Sequence, residues 1–314
     1  MDEQTLMREL QDKLEAHEYR SRALSVGHVR DLQEGIERSH VRGLLDEQFY
    51  QECLTHFSFK LPDCLPSAQS LIVVAVPQPR IKLTFTWHGE SWPVTIPPTY
   101  SHETDKQVED VLSIVLAPRG YGVSRAALPL KYLAVRSGLG DYGRNNVCYV
   151  PGMGSYHRLA AFYTDFPCSD TSWREPKMME RCQDCRTCLR SCPTGAIASD
   201  RFVIRAERCL TYHNERLEEF PDWIDSSWHN CLVGCLRCQR ACPENKDRLQ
   251  WGNVDYAFSE DETTLILNSP RPDRIPTDTA RKLDQLYLTE YSEVLGRNLR
   301  ALIQRRSTCH LPLD

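Results

Sequence analysis

Two cysteine runs constrain this chain more than any other feature. The first is Cys182-Gln-Asp-Cys185-Arg-Thr-Cys188-Leu-Arg-Ser-Cys192-Pro193, and the second is Cys231-Leu-Val-Gly-Cys235-Leu-Arg-Cys238-Gln-Arg-Ala-Cys242-Pro243. The first reads C-x2-C-x2-C-x3-C-P and the end of the second reads C-x2-C-x3-C-P, the spacing that holds [4Fe–4S] clusters. Three thiolates two residues apart can turn around one cubane, and the fourth, beside proline, points to the other cluster. Two such runs imply two clusters that share ligands crosswise. Cys182, Cys185 and Cys188 would hold one, completed by Cys242. Cys192, Cys235 and Cys238 would hold the other, and it needs one more thiolate, from Cys209 or Cys231. A structural zinc site also uses C-x2-C pairs, but zinc takes four ligands and has no use for three evenly spaced cysteines followed by Cys-Pro, twice.

The rest of the composition fits that reading. The chain has 314 residues, enough for one large domain or two ordinary ones, with 41% apolar and 26% charged residues. No apolar run is long enough to cross a membrane, and the polar, acidic start is no signal peptide. The 14 cysteines therefore point to metal ligation in a reducing cytoplasm rather than to disulfides. Cys53, Cys64, Cys148, Cys168 and Cys309 fall outside the runs and read as plain buried residues. A net charge of −5 gives nucleic-acid binding no support, since a protein gripping phosphates usually carries a basic excess on the relevant face, although the total is compatible with a local basic stripe.

In chain order, residues 4–43 read as helical, with apolar positions at Leu6, Leu10, Leu14, Leu24, Val29, Leu32 and Ile36. Leu71-Ile-Val-Val-Ala-Val-Pro77 reads as a buried strand. Ile81 to Trp87 and Trp92 to Ile96 form a hairpin, at a sheet edge because of Pro93. Helices follow at Asp105–Leu116 and Leu128–Val135, then a strand at Leu159–Tyr163. Strands alternating with helices before residue 170 indicate an α/β domain. After the cysteine runs, Trp251–Phe258 reads as irregular. Ser259 caps a helix, Pro270–Pro276 is a linker, and two more helices follow. No repeat points to a solenoid.

Ser137-Gly138-Leu-Gly140-Asp-Tyr-Gly143-Arg144-Asn145 contains G-x-G-x-x-G. A dinucleotide site needs that motif after a strand and opening a helix; here it follows a helix and precedes a strand at Val147–Val150. The other reading is a tight loop whose glycines let backbone approach a large ligand. Pro151-Gly-Met-Gly154-Ser155 is a second such loop, and two plain hairpin turns would account for both.

Together these pieces resemble the epoxyqueuosine reductase family and, more distantly, the reductive dehalogenases. The matching stretches are Pro66–Ala75, Ala134–Asn145, Gly154-Ser155, Thr164-Asp165 and the double-cluster segment. The resemblance implies an α+β fold: a nitroreductase-like α/β cobalamin-binding domain, a ferredoxin-like double [4Fe–4S] domain and short C-terminal helices. The expected boundaries are 1–172, 173–250 and 251–314. It implies that Gly138, Gly140, Gly143, Arg144, Asn145, Gly154 and Ser155 line a corrinoid site. It also selects Cys209 as the remaining ligand, because the family takes that thiolate from a Cys-x-Ser/Thr-Tyr element and Cys209-Leu-Thr-Tyr212 looks like it.

Two departures stand out. The family carries an aspartate in an extended element before the glycine loop; that place falls at Val123 or Ser124, with no acid there. Tyr121 is nearby, and a phenol can donate a proton to a substrate held over cobalt. The C-terminal region that helps the family grip tRNA is short here, which argues against a tRNA substrate. The sequence reading is thus a cobalamin- and [4Fe–4S]-dependent oxidoreductase acting on a small-molecule or corrinoid substrate. A low-potential donor such as ferredoxin or flavodoxin would feed it. Cysteine-ligated cubanes span about −700 to +450 mV, low enough to reduce a corrinoid. The alternative is a non-catalytic electron carrier built on the same two clusters.

Overall fold

Strand β2 (Ser70–Pro77) is buried along all but its last residue, and both of its faces are apolar. Such a strand must be covered on two sides. In the computed structural model, which describes residues 3–98, 100, 103–169, 172–251 and 255–308, it lies inside a four-stranded sheet. The order is β1 (Arg20–Ser25), β2, β8 (His157–Thr164), β5 (Val123–Arg125), and every pairing is antiparallel. On one face Leu71, Val73, Ala75, Leu159, Ala161 and Tyr163 meet α2 (Val29–Val41) and α5 (Leu130–Arg136). On the other, Ile72, Val74, Ala160 and Phe162 meet α1 (Glu3–Ala16) and α4 (Glu103–Leu116). The short helix α3 (Glu47–Phe49) and a π turn at Tyr50–Leu54 lead toward β2. Strands β6 (Asp141–Tyr142) and β7 (Cys148–Tyr149) form a separate antiparallel pair on the α5 face.

Two expectations change here. Residues 4–43 are not one helical stretch: α1 ends at Ala16, Glu18 adopts φ 62°, and Arg20–Ser25 becomes edge strand β1. Its burial alternates until Ala23 and Leu24, so only two residues carry the strand signal. The strand–helix alternation before residue 170 builds an antiparallel sheet, not the parallel one that alternation normally implies.

These elements belong to one of two compact units, formed by Met1–Gln78, Ser101–Arg186 and Ser199–Ile204. The other comprises Pro79–Tyr100, Thr187–Ala198 and Arg205–Asp314. This division departs from the expected boundaries at 172 and 250. In the second unit β3 (Ile81–Trp87) pairs antiparallel with β4 (Glu90–Ile96) and parallel with β9 (Asp255–Phe258). His88 and Gly89 turn the hairpin with φ 53° and 73°, the doubly left-handed pattern of a type I′ turn. Strand β4 is at the edge, as Pro93 requires. Phe258 of β9 stacks on Phe85 at 4.7 Å, so Trp251–Phe258 is not wholly irregular.

Helices α9 (Glu260–Leu267), α10 (Thr277–Gln285) and α11 (Ser292–Thr308) complete the second core. Ser259 and Glu262 make a full capping box on α9. Leu283, Leu295 and Leu299 pack with Leu83, Phe85 and the Leu232–Val233 segment between two cysteines. The C-terminal helices therefore share a core with the second cysteine run and are not a separate extension. Among the described residues no helix is long and apolar enough to cross a membrane. Cys309 lies outside the described residues.

Candidate functional site

In the second unit, α6 (Thr187–Ser191) carries Cys188 and ends just before Cys192, while α8 (Arg237–Arg240) carries Cys238 and precedes Cys242; the two short helices pack together. Cys209 opens α7 (Leu210–Glu215). Burial pushes the Cys209 thiol up to about 11, and the charges of Cys235 and Cys192 push in the same direction. Cys235 is raised by burial first, with Cys192 adding to it. Cys209 thus lies in the field of Cys192 and Cys235, and Cys235 in that of Cys192. Cys231 is fully buried and pushed well up, by desolvation before the charge of Cys235; its S–H donates to Asn230 Oδ1 at 3.3 Å. A thiol used as a donor to an amide is engaged away from metal. Among the described residues, no three His, Cys, Asp or Glu side chains converge closely enough for a single ion.

Helix α11 holds the loops around these thiols, a role the sequence reading missed. Asn298, fully buried, donates to Asn214 O and Leu232 O, both at 2.8 Å. Asn214 in turn donates to Gly234 O at 2.7 Å. Arg297 donates to His213 O at 2.9 Å and to Glu218 O, and its guanidinium sits 4.0 Å from the Phe220 ring centroid. Arg305 reaches His229 O at 2.8 Å. The signal was Arg297-Asn298 between the apolar positions Leu295 and Leu299: two polar residues on a helix that otherwise faces a core.

The first unit contains Cys182, at the end of a 3₁₀ turn, and Cys185. Arg144 grips this segment. Its Nε donates to Cys182 O (3.2 Å) and Cys185 O (3.0 Å), and Nη2 to Cys182 O (2.7 Å) and Gln183 O (2.9 Å). Strand β6 leads into the same segment, since Tyr142 N–H donates to Lys177 O and Met179 N–H to Tyr142 O. Arg144 therefore holds the backbone of the first cysteine run, where the resemblance put it against a corrinoid.

The other glycine-loop residues also have partners within the chain. Gly138, at φ 80°, caps α5, with N–H bonds from Gly138 to Val135 O and from Leu139 to Ala134 O. A Cβ on Gly140 would sit 2.6 Å from Tyr149 O and 2.8 Å from Cys148 Sγ. One on Gly143 would sit 2.5 Å from both Asn145 Oδ1 and the Tyr149 ring. Asn145 is buried and donates to Tyr149 Oη at 3.1 Å. Gly140 and Gly143 are thus required by the close approach of β7. The second loop is more open: Gly152 (φ 81°) has nothing within 4 Å of a built Cβ, Gly154 turns at φ 58°, and Ser155 is buried.

Beneath β7, His157 donates Nε2–H to Cys148 O at 3.1 Å, while its buried Nδ1 has no hydrogen-bond partner among the described residues. Burial lowers its pKa to about 4, so the ring is neutral at pH 7. Tyr163 Oη, on the same sheet face, is also buried and unpartnered. Orphaned polar atoms on the face that carries both loops suit a cofactor rimmed with amides.

Tyr121 packs edge-on to Phe166 (5.1 Å) and joins the opposite, α1/α4 core. Ser124 pairs with Tyr163 in register and shares the loop-bearing face. Its Oγ lies 3.3 Å from the exposed Cys64 Sγ. Close by in the chain, Asp165 Oδ1 accepts the Gly122 N–H at 2.8 Å.

A family model for the 4Fe-4S double cluster binding domain matches residues 181–245. Among curated proteins, the epoxyqueuosine reductase of Atelocyanobacterium thalassa is 30% identical over 234 residues, covering 70% of this chain and 69% of that one. The Bacillus subtilis epoxyqueuosine reductase is 26% identical over 231 residues, covering 65% of this chain and 57% of that one. This chain therefore spans little more than half to two thirds of these relatives. Similarity extends to the tetrachloroethene reductive dehalogenase of Desulfitobacterium hafniense, 29% identical over 160 residues, 49% of this chain and 27% of that one. A crystal structure of epoxyqueuosine reductase with an epoxyqueuosine-modified tRNA-Tyr stem loop has the same fold. It aligns at TM-score 0.69 and 20% identity, covering 97% of this chain and 82% of that chain. With the double-cluster segment and an aligned relative of this identity and coverage, the chain belongs to the epoxyqueuosine reductase family.

Proposed function

We propose that this chain is an iron–sulfur reductase that passes single electrons through two [4Fe–4S] clusters to a corrinoid. We further propose that it acts on its family's substrate class, an epoxide-bearing nucleoside in a tRNA stem loop. The observation that carries the reading is the match of residues 181–245 to the 4Fe-4S double cluster binding domain, together with a Cys231 thiol that is engaged elsewhere. In this reading Cys182, Cys185, Cys188 and Cys242 hold one cluster, and Cys192, Cys209, Cys235 and Cys238 hold the other. The acidic total sums the whole surface and does not oppose a local basic stripe. Arg181, Arg186, Arg190 and Arg240 flank the cysteines and suit RNA phosphate or an acidic electron donor equally well.

Bound at the two glycine loops, a corrinoid would supply a low-valent cobalt able to attack carbon or relay electrons. The residues in contact with it would be the backbone of the Gly152–Ser155 turn, Gly138 and the orphaned His157 Nδ1. Arg144 acts behind them, fixing the Cys182–Cys185 backbone. Removal of an epoxide oxygen as water consumes two electrons and two protons. The polar groups nearest the position of the missing acid are Ser124 Oγ and Cys64 Sγ, which would stand in place of the acid absent at 123–124 and of Tyr121.

The test is anaerobic purification with and without cobalamin, metal analysis, then reductant and an epoxyqueuosine-bearing stem loop read by mass spectrometry. About eight irons, one cobalt and loss of one oxygen atom from the RNA are expected. Two clusters without cobalt or turnover would leave the electron carrier. The lack of an acid at Val123 or Ser124, where the resemblance puts the family's aspartate, favours that second reading.

A further inference from the structure

The carboxamide of Asn230 is saturated by four contacts. Its Oδ1 accepts from Leu236 N–H at 2.9 Å and from Cys231 S–H at 3.3 Å. Its Nδ2 donates to Trp228 O at 3.2 Å and to Cys235 Sγ at 3.2 Å. A backbone N–H can only donate and a carbonyl can only accept, so the orientation of the amide is determined: the oxygen faces Leu236 and the nitrogen faces Cys235. The neighbours are themselves fixed. Leu232 O and Gly234 O are held by Asn298 and Asn214, and Arg237 donates to Trp228 O at 3.1 Å and to Ser227 O at 2.7 Å. Cys231, with no exposed surface, cannot swing away.

We propose that Asn230 is a positioning residue that sets the reduction potential of the cluster ligated by Cys235, through an N–H···S bond to that thiolate. Cys231 serves as the buried thiol that locks the amide in place. The proposal rests on Cys235 being a cluster ligand. A donor aimed at a thiolate draws charge off the iron–sulfur core. It stabilises the reduced, more negative core more than the oxidised one, so it raises the potential. The surroundings are largely buried, and a hydrogen bond there is stronger than in water. Four contacts on one side chain, with Cys231 on the oxygen and Cys235 on the nitrogen, exceed what a loop staple needs. They also give Cys231 a role that is not ligation.

The decisive substitution is Asn230→Asp. It keeps the shape and the acceptor for Leu236 N–H and Cys231 S–H, but puts a carboxylate oxygen where the donor was. Anaerobically reconstituted protein is titrated with reductant and followed by electron paramagnetic resonance. One of the two clusters becomes about tenfold harder to reduce, about 59 mV for one electron, and the other does not move. Asn230→Ala, which removes the donor without adding charge, shifts the same cluster in the same direction by less. In the parent protein, double resonance after exchange into D₂O shows deuterons coupled to that cluster from both donors to Cys235, the Asn230 amide and the Arg237 backbone N–H, and Asn230→Ala loses the Asn230 deuteron while the other stays. Cys231→Ser retains both the Asn230 deuteron and the potential.

Unchanged potentials in both Asn230 variants, with iron content intact, would overturn the proposal. So would equal shifts of both clusters, which is the signature of general loosening. Absence of [4Fe–4S] signals from the parent protein would instead overturn the assignment of Cys235 as a ligand. If Asn230→Asp fails to hold iron, Asn230→Ala and the deuteron coupling still decide the matter.

Discussion

Gly140→Ala separates the two accounts of the glycine loop. If the glycine keeps space for a ligand, alanine costs nothing in cobalamin-free protein. It should even add about 0.4–1 kcal/mol by restricting the unfolded chain, because Gly140 does not need a positive φ. If the glycine is there for β7, the new methyl lands 2.6 Å from Tyr149 O and 2.8 Å from Cys148 Sγ. The first of these is backbone in a strand and cannot rotate away. Overpacking of this kind costs about 1–3 kcal/mol. Set against the unfolded-state gain, the net loss is about 1.3 kcal/mol. With a urea slope of about 3 kcal/mol/M, the midpoint falls by about 0.4 M. The assay is anaerobic urea unfolding followed by tryptophan fluorescence, without cobalamin. Gly27→Ala is the control, since its built Cβ meets only Ser25 Oγ at 3.5 Å and no loss is expected. A Gly140→Ala midpoint equal to or above the parent would refute the packing account and return the glycine to the cofactor.

Three further outcomes follow from the same geometry. Cys209→Ala should halve the iron bound on anaerobic reconstitution, from about eight to about four per chain, whereas Cys231→Ala should retain it; the reverse pattern would exchange the two cysteines. Arg144→Ala removes all four bonds to the Cys182, Gln183 and Cys185 carbonyls. It should speed iron loss to a chelator several-fold, with Arg144→Lys only partly restoring retention, because one ammonium cannot span three carbonyls. Burial holds His157 near 4 against an ordinary value of 6.5. The unfolded chain therefore takes up a proton as pH falls through 6.5 while the folded chain does not, and stability present above pH 6.5 is lost toward pH 4. At pH 5 the loss is about 2 kcal/mol. His157→Gln should reduce the difference in urea midpoint between pH 7 and pH 5, with His229, also held near 4 by burial, keeping part of it; an unchanged difference would refute the assignment.

The legible parts of this protein are those in which chemistry fixes a local spacing. A cubane fixes the distance between cysteines, a type I′ turn fixes His88-Gly89, and a capping box fixes Ser259 and Glu262. Strand β1 escaped because an edge strand that buries only Ala23 and Leu24 leaves almost no alternation between two amphipathic helices. The alternation of strands and helices left the strand pairing open for a related reason: it says nothing of a β2 whose neighbour, β8, arrives some eighty residues later.

The glycine loop teaches a different lesson. Its residue types declared that something must come close to the backbone, and something does. Spacing alone could not tell a ligand from Tyr149 and Cys148 of the same chain, and it offered no way to see that Arg144 reaches forward to Cys182 and Cys185. Arg144 joins the two stretches that the sequence marked independently, the glycine loop and the first cysteine run, through a guanidinium that neither motif requires. A substitution in that loop should therefore be read first at the iron, through chelator resistance and potential, and only afterwards at any cofactor above it.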